Sequence, residues 1–274
     1  MIQDQNITFL GCGNMGTSLI NGLIANGHPA TNLHAVDPDE NQRTRVEARY
    51  GIRTSAEAAA AIPTADVVVL AVKPQTVMTA LTLTRDALQN NSPLVLSIAA
   101  GVRTDAISNA LGGACPVVRA MPNTPVLLRS GATGLYAAGD VDASRRAAAT
   151  NIMQAVGVVV WLDDESLLDT VTAVSGSGPA YFFLIVELLE KIAVDMGLSR
   201  AQAHLLSVDT ALGAARMLKE SGEDAATLRQ RVTSPGGTTE KALQAFEEGG
   251  LEQLLRTALT ACRNRSVELA KQAD

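Results

Sequence analysis

Short, unbroken apolar runs alternate with amphipathic stretches through the first half of the chain. Ile7–Leu10 leads into a glycine-rich loop, and Asn14–Ala25 carries apolar residues at helical spacing until Asn26-Gly27 stops it. Leu33–Val36 follows, and Asp37-Pro38-Asp39 opens the next helix. Further runs cover residues 67–72, 94–98 and 117–120. The first is bounded by Asp66 and Lys73-Pro74, the second runs into Ala99-Ala100-Gly101, and the third ends at Met121-Pro122-Asn123. Continuous runs rich in β-branched residues, separated by helical segments, predict strands covered on both faces. With helices between them, they predict a doubly wound, mostly parallel sheet joined by right-handed crossovers. Residues 134–137 and 158–161 are candidates to extend that sheet, and the alanine-rich residues 58–61 read as plain helix.

After about residue 163 the strand pattern stops. Residues 179–196, 200–219, 225–232, 238–248 and 251–271 read as helices. Ser199 with Gln202 fits a capping box, and Gly197 fits the stop of the preceding helix. Residues 181–189 are apolar nearly all round apart from Glu187, so that helix needs cover on more than one side. A homodimer with interlocked helices supplies it; the competing reading is the central helix of a monomeric bundle. The expected organisation is α/β, with a dinucleotide-binding domain at residues 1–163 and an all-helical dimerisation domain at 164–274.

Composition removes several classes. The chain has 274 residues, enough for one large domain or two. A net charge of −6 and the lack of a Lys/Arg run argue against a nucleic-acid surface. Cys12, Cys115 and Cys262 are odd in number and far apart, which suggests neither a disulfide framework nor a metal site. Unbroken apolar runs such as residues 155–162 are too short to cross a bilayer. The start, Met1-Ile2-Gln3-Asp4, lacks signal-peptide features. The expectation is a cytoplasmic protein with no membrane partner.

Gly11, Cys12, Gly13, Asn14, Met15 and Gly16 form a GxGxxG loop between a strand and a helix. In that context Gly11 allows the tight turn, Gly13 lets a pyrophosphate approach the backbone, and Gly16 brings helix and strand together. This is the signature of a Rossmann domain; the alternative is a tight turn without a ligand. Asp37, 21 residues after Gly16, stands where a carboxylate accepts bonds from the adenosine ribose. It would repel a 2′-phosphate, so NADH is favoured over NADPH, with Arg43 and Arg45 able to soften the preference. A helix-capping role for Asp37 is compatible with this. Ala71, Val72, Lys73 and Pro74, and the segment from Ser97 to Gly101, should line the same crevice. Lys73 reads equally well as a phosphate contact or a solvated loop residue.

Acid–base equipment is sparse. His28 and His34 flank the turn before the second strand and read as solvated, and His204 as a packing or surface residue. No Ser–His–Asp order or metal-ligand cluster emerges. Reduction of a protonated imine, which needs mainly orientation, fits such a site better than alcohol oxidation. A second candidate anion site is Ser234-Pro235-Gly236-Gly237-Thr238-Thr239, at the start of a helix. A capped inter-helix turn explains the same residues.

The segments GCGNMG (11–16), AVKP (71–74), SIAAGV (97–102), RAMPNTP (119–125), VSGSGPAY (174–181) and SPGGTT (234–239) resemble pyrroline-5-carboxylate reductase in order and spacing. The resemblance spans nearly the whole chain. It implies a Rossmann domain and a helical domain that interlocks two subunits, commonly in a ring of five dimers. It also implies NAD(P)H-dependent reduction of Δ1-pyrroline-5-carboxylate to L-proline, the last step of proline synthesis. By the same resemblance residues 11–16, 71–74, Ser97 and Ala99 belong to the cofactor segments, and Asn123 to the motif that meets the nicotinamide. Ser234, Gly236, Gly237 and Thr238 would cradle the substrate carboxylate, and the Thr239 hydroxyl would bond the ring nitrogen. The site would join the two domains, with helices from the partner subunit. Asp37 stands where many relatives carry a small polar residue, and Ala58 where they often have Asn near the adenosine.

Two rivals remain. A 3-hydroxyacid dehydrogenase relative would place a lysine on the helix after the Rossmann domain. Residues 175–181 hold none, and Lys191 lies further on by roughly 15 Å of helix. A non-catalytic NAD-responsive binding protein is the other.

Overall fold

The computed structural model describes residues 4–139 and 141–273, so the reading of the first three residues lies outside the described part. Eight strands form one sheet: β1 (Ile7–Leu10), β2 (Leu33–Val36), β3 (Arg53–Ser55), β4 (Val67–Leu70), β5 (Leu94–Ser97), β6 (Val117–Met121), β7 (Gly131–Ala137) and β8 (Gly157–Trp161). Their order is β3-β2-β1-β4-β5-β6-β7-β8, parallel throughout except for the antiparallel β6–β7 pair. The order reverses at β1, where β2 lies on one side and β4 on the other. That switch point is where a doubly wound sheet opens a ligand crevice.

Alternate strand residues feed two cores. Phe9, Val69 and Leu96 pack with Leu19 and Ile20 of α1 (Asn14–Ala25) on one face. Leu10, Val68 and Val95 pack on the other, with Leu81 and Leu88 of the helix Val77–Asn91 and Ile107 of the helix Thr104–Ala110. With α2 at Glu40–Tyr50, these two helices are α3 and α4, and α5 is Ala143–Gln154. Burial on both faces explains why the strands read as unbroken apolar runs. β3, with the sequence RTS and an exposed first residue, has no such run and was not expected. Residues 58–61 also differ from expectation. Ala58–Ala60 and Ile62–Thr64 are two 3-10 turns, because Pro63 denies a continuing helix its N–H and room.

The chain divides into two compact units, Met1–Ser177 with Cys262–Asp274, and Gly178–Ala261. This division falls after residue 177. Helix α6 (Leu167–Val171) belongs to the first unit because Leu168 and Val171 lie over Gly134 of β7. The second unit holds α7 (Gly178–Asp195), α8 (Arg200–Glu220), α9 (Ala225–Arg231), α10 (Thr238–Glu248) and the first part of α11 (Leu251–Ala273). Ser199 and Gln202 form the expected capping box, and Gly197 adopts the left-handed turn between α7 and α8 at φ +107°.

Within one chain, α7 is largely uncovered: Phe182 and Phe183 are 68% and 69% exposed. The helical stretch Leu167–Asp195 is long and apolar enough to cross a membrane by length and composition. Counting only unbroken apolar runs overlooked it, because Glu187, Glu190 and Lys191 interrupt the run without ending the helix.

His28 is buried, not solvated as its place in a turn suggested, and His34 is half-buried against the Ser55 hydroxyl at 2.9 Å. Burial lowers both imidazole pKa values below the usual 6.5; near His34 the Arg53 charge adds to the effect. The unfolded chain therefore binds protons first as the pH falls. The stabilisation is complete above pH 6.5 and is lost on acidification towards the lowered folded values. Urea unfolding between pH 7.5 and 5 should show this loss, and His28→Leu should flatten it; an unchanged slope in the variant would contradict the assignment.

Candidate active site

The chain leaves β1 at Leu10 and turns through the glycine loop into α1. Gly11 has φ +94°, and a Cβ there would lie 2.8 Å from the Ala71 carbonyl oxygen. A Cβ on Gly16 would lie 2.7 Å from the Gly11 carbonyl oxygen and 3.3 Å from the Ala71 side chain. Gly13, in contrast, faces open space, with nothing within 4 Å of where a Cβ would be. No side chain caps α1 at Gly13. The first N–H groups of the helix thus face a gap beside Gly13, which fits a dinucleotide pyrophosphate. Met15 packs onto the core behind the loop, and Asn14 is exposed at its front.

Asp37, just past β2, is half-buried. Its Oδ2 accepts from the Cys12 backbone N–H at 3.0 Å, and its Oδ1 from the Asp39 N–H at 3.0 Å. The helix cap itself is Asp39, which accepts from Asn41. Arg43 donates to the Asp37 and Pro38 carbonyls, and Arg45 to Gln42. The Cys12 thiol is fully buried and its pKa is pushed up to about 12, by burial first and then by the Asp37 carboxylate. Both effects favour the protonated thiol at neutral pH.

The ends of β4 and β5 border a cavity of about 680 Å³ lined in part by Pro74, Ala100, Gly101, Ser177, Cys262 and Arg265. Ala71 and Val72 are half-buried and Lys73 is exposed. Ser97 is fully buried, and its hydroxyl accepts weakly from the Ala99 N–H at 3.4 Å. Ser97 and Ala99 therefore shape the crevice wall from behind. Asn123, after β6, is also occupied by the protein: its amide donates to the Ser175 carbonyl at 3.0 Å and accepts from the Ala132 N–H at 2.9 Å. No lysine or histidine lines the cavity among the described residues.

The second candidate anion site lies in the other unit. The Gly237 N–H donates to the Ser234 carbonyl at 2.9 Å, closing a tight turn with Gly236 at φ +70°. The Gly236 N–H is already taken by Glu240, at 2.8 Å, so Gly236 contributes shape and not a free donor. α10 starts at Thr238 with no side-chain cap. The Thr238 and Thr239 N–H groups and the Ser234, Thr238 and Thr239 hydroxyls are left around the turn.

A buried polar network escaped the sequence reading. Arg119 of β6, 2% exposed, pairs with Glu165 at 3.0 Å, and Glu165 also holds the Thr104 N–H and hydroxyl, each at 2.9 Å. Asp169 accepts from Ser266 at 2.7 Å and pairs with Arg103 at 3.4 Å. These bonds link α4, α6 and the end of α11 to one another and to β6 of the sheet. Their members are far apart in sequence, and a charged residue inside the apolar run at 117–120 was the one visible sign. His204 is exposed and pairs with Glu190.

Comparison with known proteins gives the following. A family model described as pyrroline-5-carboxylate reductase dimerisation matches residues 165–269. Another, described as NADP oxidoreductase, coenzyme F420-dependent, matches residues 6–101. A pyrroline-5-carboxylate reductase of Pseudomonas aeruginosa is 48% identical over 266 residues, 97% of either chain. A solved pyrroline-5-carboxylate reductase from Coxiella burnetii superposes with TM-score 0.94 at 44% identity, covering 97% of this chain and 98% of that one. One from Plasmodium falciparum with NADP bound gives 0.85 at 27% identity, covering 98% and 99%.

The glycines separate folding from binding. Gly13→Ala should fold with an unchanged melting temperature yet weaken nucleotide binding by about tenfold or more, because its methyl enters the phosphate space. Gly16→Ala should also lower stability, by about 1–3 kcal/mol of overpacking. Calorimetric titration and thermal melts check both; wild-type affinity in Gly13→Ala would remove the pyrophosphate from this loop.

Proposed function

The chain belongs to the pyrroline-5-carboxylate reductase family, and from that premise we propose how its residues share the reduction of Δ1-pyrroline-5-carboxylate to L-proline. The protein is an oxidoreductase that uses a nicotinamide cofactor in the last step of proline biosynthesis. When bound, the reduced nicotinamide supplies the hydride that the imine carbon accepts. Everything else is positioning and charge, which suits a crevice without an acid–base pair.

The loop from Gly11 to Gly16 holds the pyrophosphate, with Ala71, Val72, Lys73 and Pro74 beside it. The walls built on Ser97, Ala99 and Asn123 shape the nicotinamide end. Asp37 takes the adenosine ribose on the lone pairs that Cys12 and Asp39 leave free. Its charge disfavours a 2′-phosphate, which makes NADH the better donor while NADPH remains usable. Like unit charges about 4 Å apart in water repel by about 1 kcal/mol, so the bias is on the order of fivefold, not absolute.

The turn at Ser234, Gly237 and Thr238 takes the substrate carboxylate, with Gly236 fixing its curvature. Thr239 orients the ring nitrogen. An alcohol is a poor acid near neutral pH, so Thr239 positions the nitrogen while solvent supplies its proton. The uncapped start of α10 is the observation that carries this assignment: no side chain caps the first N–H groups of the helix, and Ser234, Thr238 and Thr239 bring hydroxyls to the same turn. The dimerisation segment supports a homodimer in which the partner covers α7, with interlocked helical domains that complete the active site. Five such dimers form the ring that the family resemblance implies.

The absence of a cavity lysine disfavours the 3-hydroxyacid dehydrogenase reading. One spectrophotometric series tests the proposal. NADH loss should occur with pyrroline-5-carboxylate and not with simple 3-oxoacids, and faster with NADH than with NADPH. Thr239→Ala should lower kcat by about tenfold or more while leaving the NADH affinity unchanged. Full turnover in that variant would remove Thr239 from the mechanism, and a strong NADPH preference would overturn the role given to Asp37.

A further inference from the structure

The VSGSGPAY segment (174–181) borders the 680 Å³ cavity through Ser177. Over its first residues the helix widens into a π-turn at Thr172–Gly176, closed by the Ser177 N–H donating to the Thr172 carbonyl at 2.8 Å. Asn123 holds that turn from the sheet side through the Ser175 carbonyl. Single π-turns of this kind often mark functional positions in helices.

Three hydroxyls line the cavity: Thr172, Ser177 and Ser266. Thr172 donates to the Leu168 carbonyl at 2.8 Å, and Ser266 donates to Asp169 at 2.7 Å. Their protons are spent. At Ser177 the direction is reversed, because its oxygen accepts from the Cys262 thiol at 3.3 Å. A thiol is a weak donor, but it occupies a lone pair of the hydroxyl and leaves the hydroxyl proton for another partner. Arg265 donates to Glu268. Ser177 is thus the cavity hydroxyl with a proton to offer.

Resting on the cofactor reading above, we infer that Ser177 donates to the carboxamide oxygen of the nicotinamide, which makes it a binding residue for the ring. The cavity lies past the ends of β4 and β5, on the side of the sheet away from Asp37. With the ribose at Asp37 and the pyrophosphate at Gly13, a dinucleotide crossing the switch point brings its nicotinamide half to this side. Its carbonyl is the acceptor a neutral hydroxyl would meet. The Cys262 thiol then positions the Ser177 hydroxyl, and Asn123 positions the turn that carries it.

The test is binding, measured by calorimetric titration with NAD+ and with thionicotinamide adenine dinucleotide, whose sulfur accepts hydrogen bonds poorly. Ser177→Ala should weaken NAD+ by about five- to tenfold, the value of one such bond, and the thio analogue by less than about twofold. Ser177→Thr, which keeps the hydroxyl, should restore the difference between the two ligands. Ser177→Cys, a weaker donor, should behave like the alanine variant and serves if Ser177→Ala does not fold. Equal losses for both ligands, or unchanged NAD+ affinity, would overturn the inference. So would an effect confined to proline affinity, since the hydroxyl would then serve the carboxylate. Failure of the unaltered protein to bind NAD+ would instead refute the cofactor reading on which the inference rests.

Discussion

The approach of the glycine loop to the end of β4 is the constraint on which the site depends. Gly11, Gly16 and Ala71 leave no room for another carbon between them, while Gly13 faces a gap. Backbone bonds carry this geometry across three strands: the Gly11 N–H donates to the Val36 carbonyl, and the Ala71 N–H to the Leu10 carbonyl, each at 2.8 Å. Strand ends brought level in this way place the uncapped start of α1 at the switch point of the sheet. The Asp37 carboxylate on the Cys12 N–H fixes the loop and sets the charge seen by the far end of a dinucleotide.

Much of this was legible in the sequence, because burial on both sheet faces leaves unbroken apolar runs and each glycine in the loop has its own steric reason. β3 was not, since three polar edge residues make no pattern. Nor was the burial of His28, which depends on what packs over the turn after α1. The network of Arg119, Glu165 and Asp169 was hidden because its members meet only after folding. The substrate turn was half legible: Ser234 and two glycines before a helix announce a nest of donors, but the capture of the Gly236 N–H by Glu240 does not follow from spacing.

The buried network and the open helices have opposite characters. Breaking one partner of a buried pair such as Arg119–Glu165 costs about 3–5 kcal/mol, so the first unit holds α6 and the end of α11 firmly against its sheet. The second unit leaves Phe182, Phe183 and other large apolar residues of α7 exposed, a continuous patch of the kind that marks an interaction surface. A dimerisation segment matched over residues 165–269 accounts for that surface. The turn at 234–239 lies within the same matched segment.

The most direct measurement is a crystal structure of the protein with NAD+ and proline both bound. The account predicts the pyrophosphate on the N–H groups that follow Gly13, and the proline carboxylate on the turn at Ser234–Thr238 with its ring nitrogen at Thr239. An empty turn, or proline held elsewhere with its ring carbon out of reach of the nicotinamide, would contradict it.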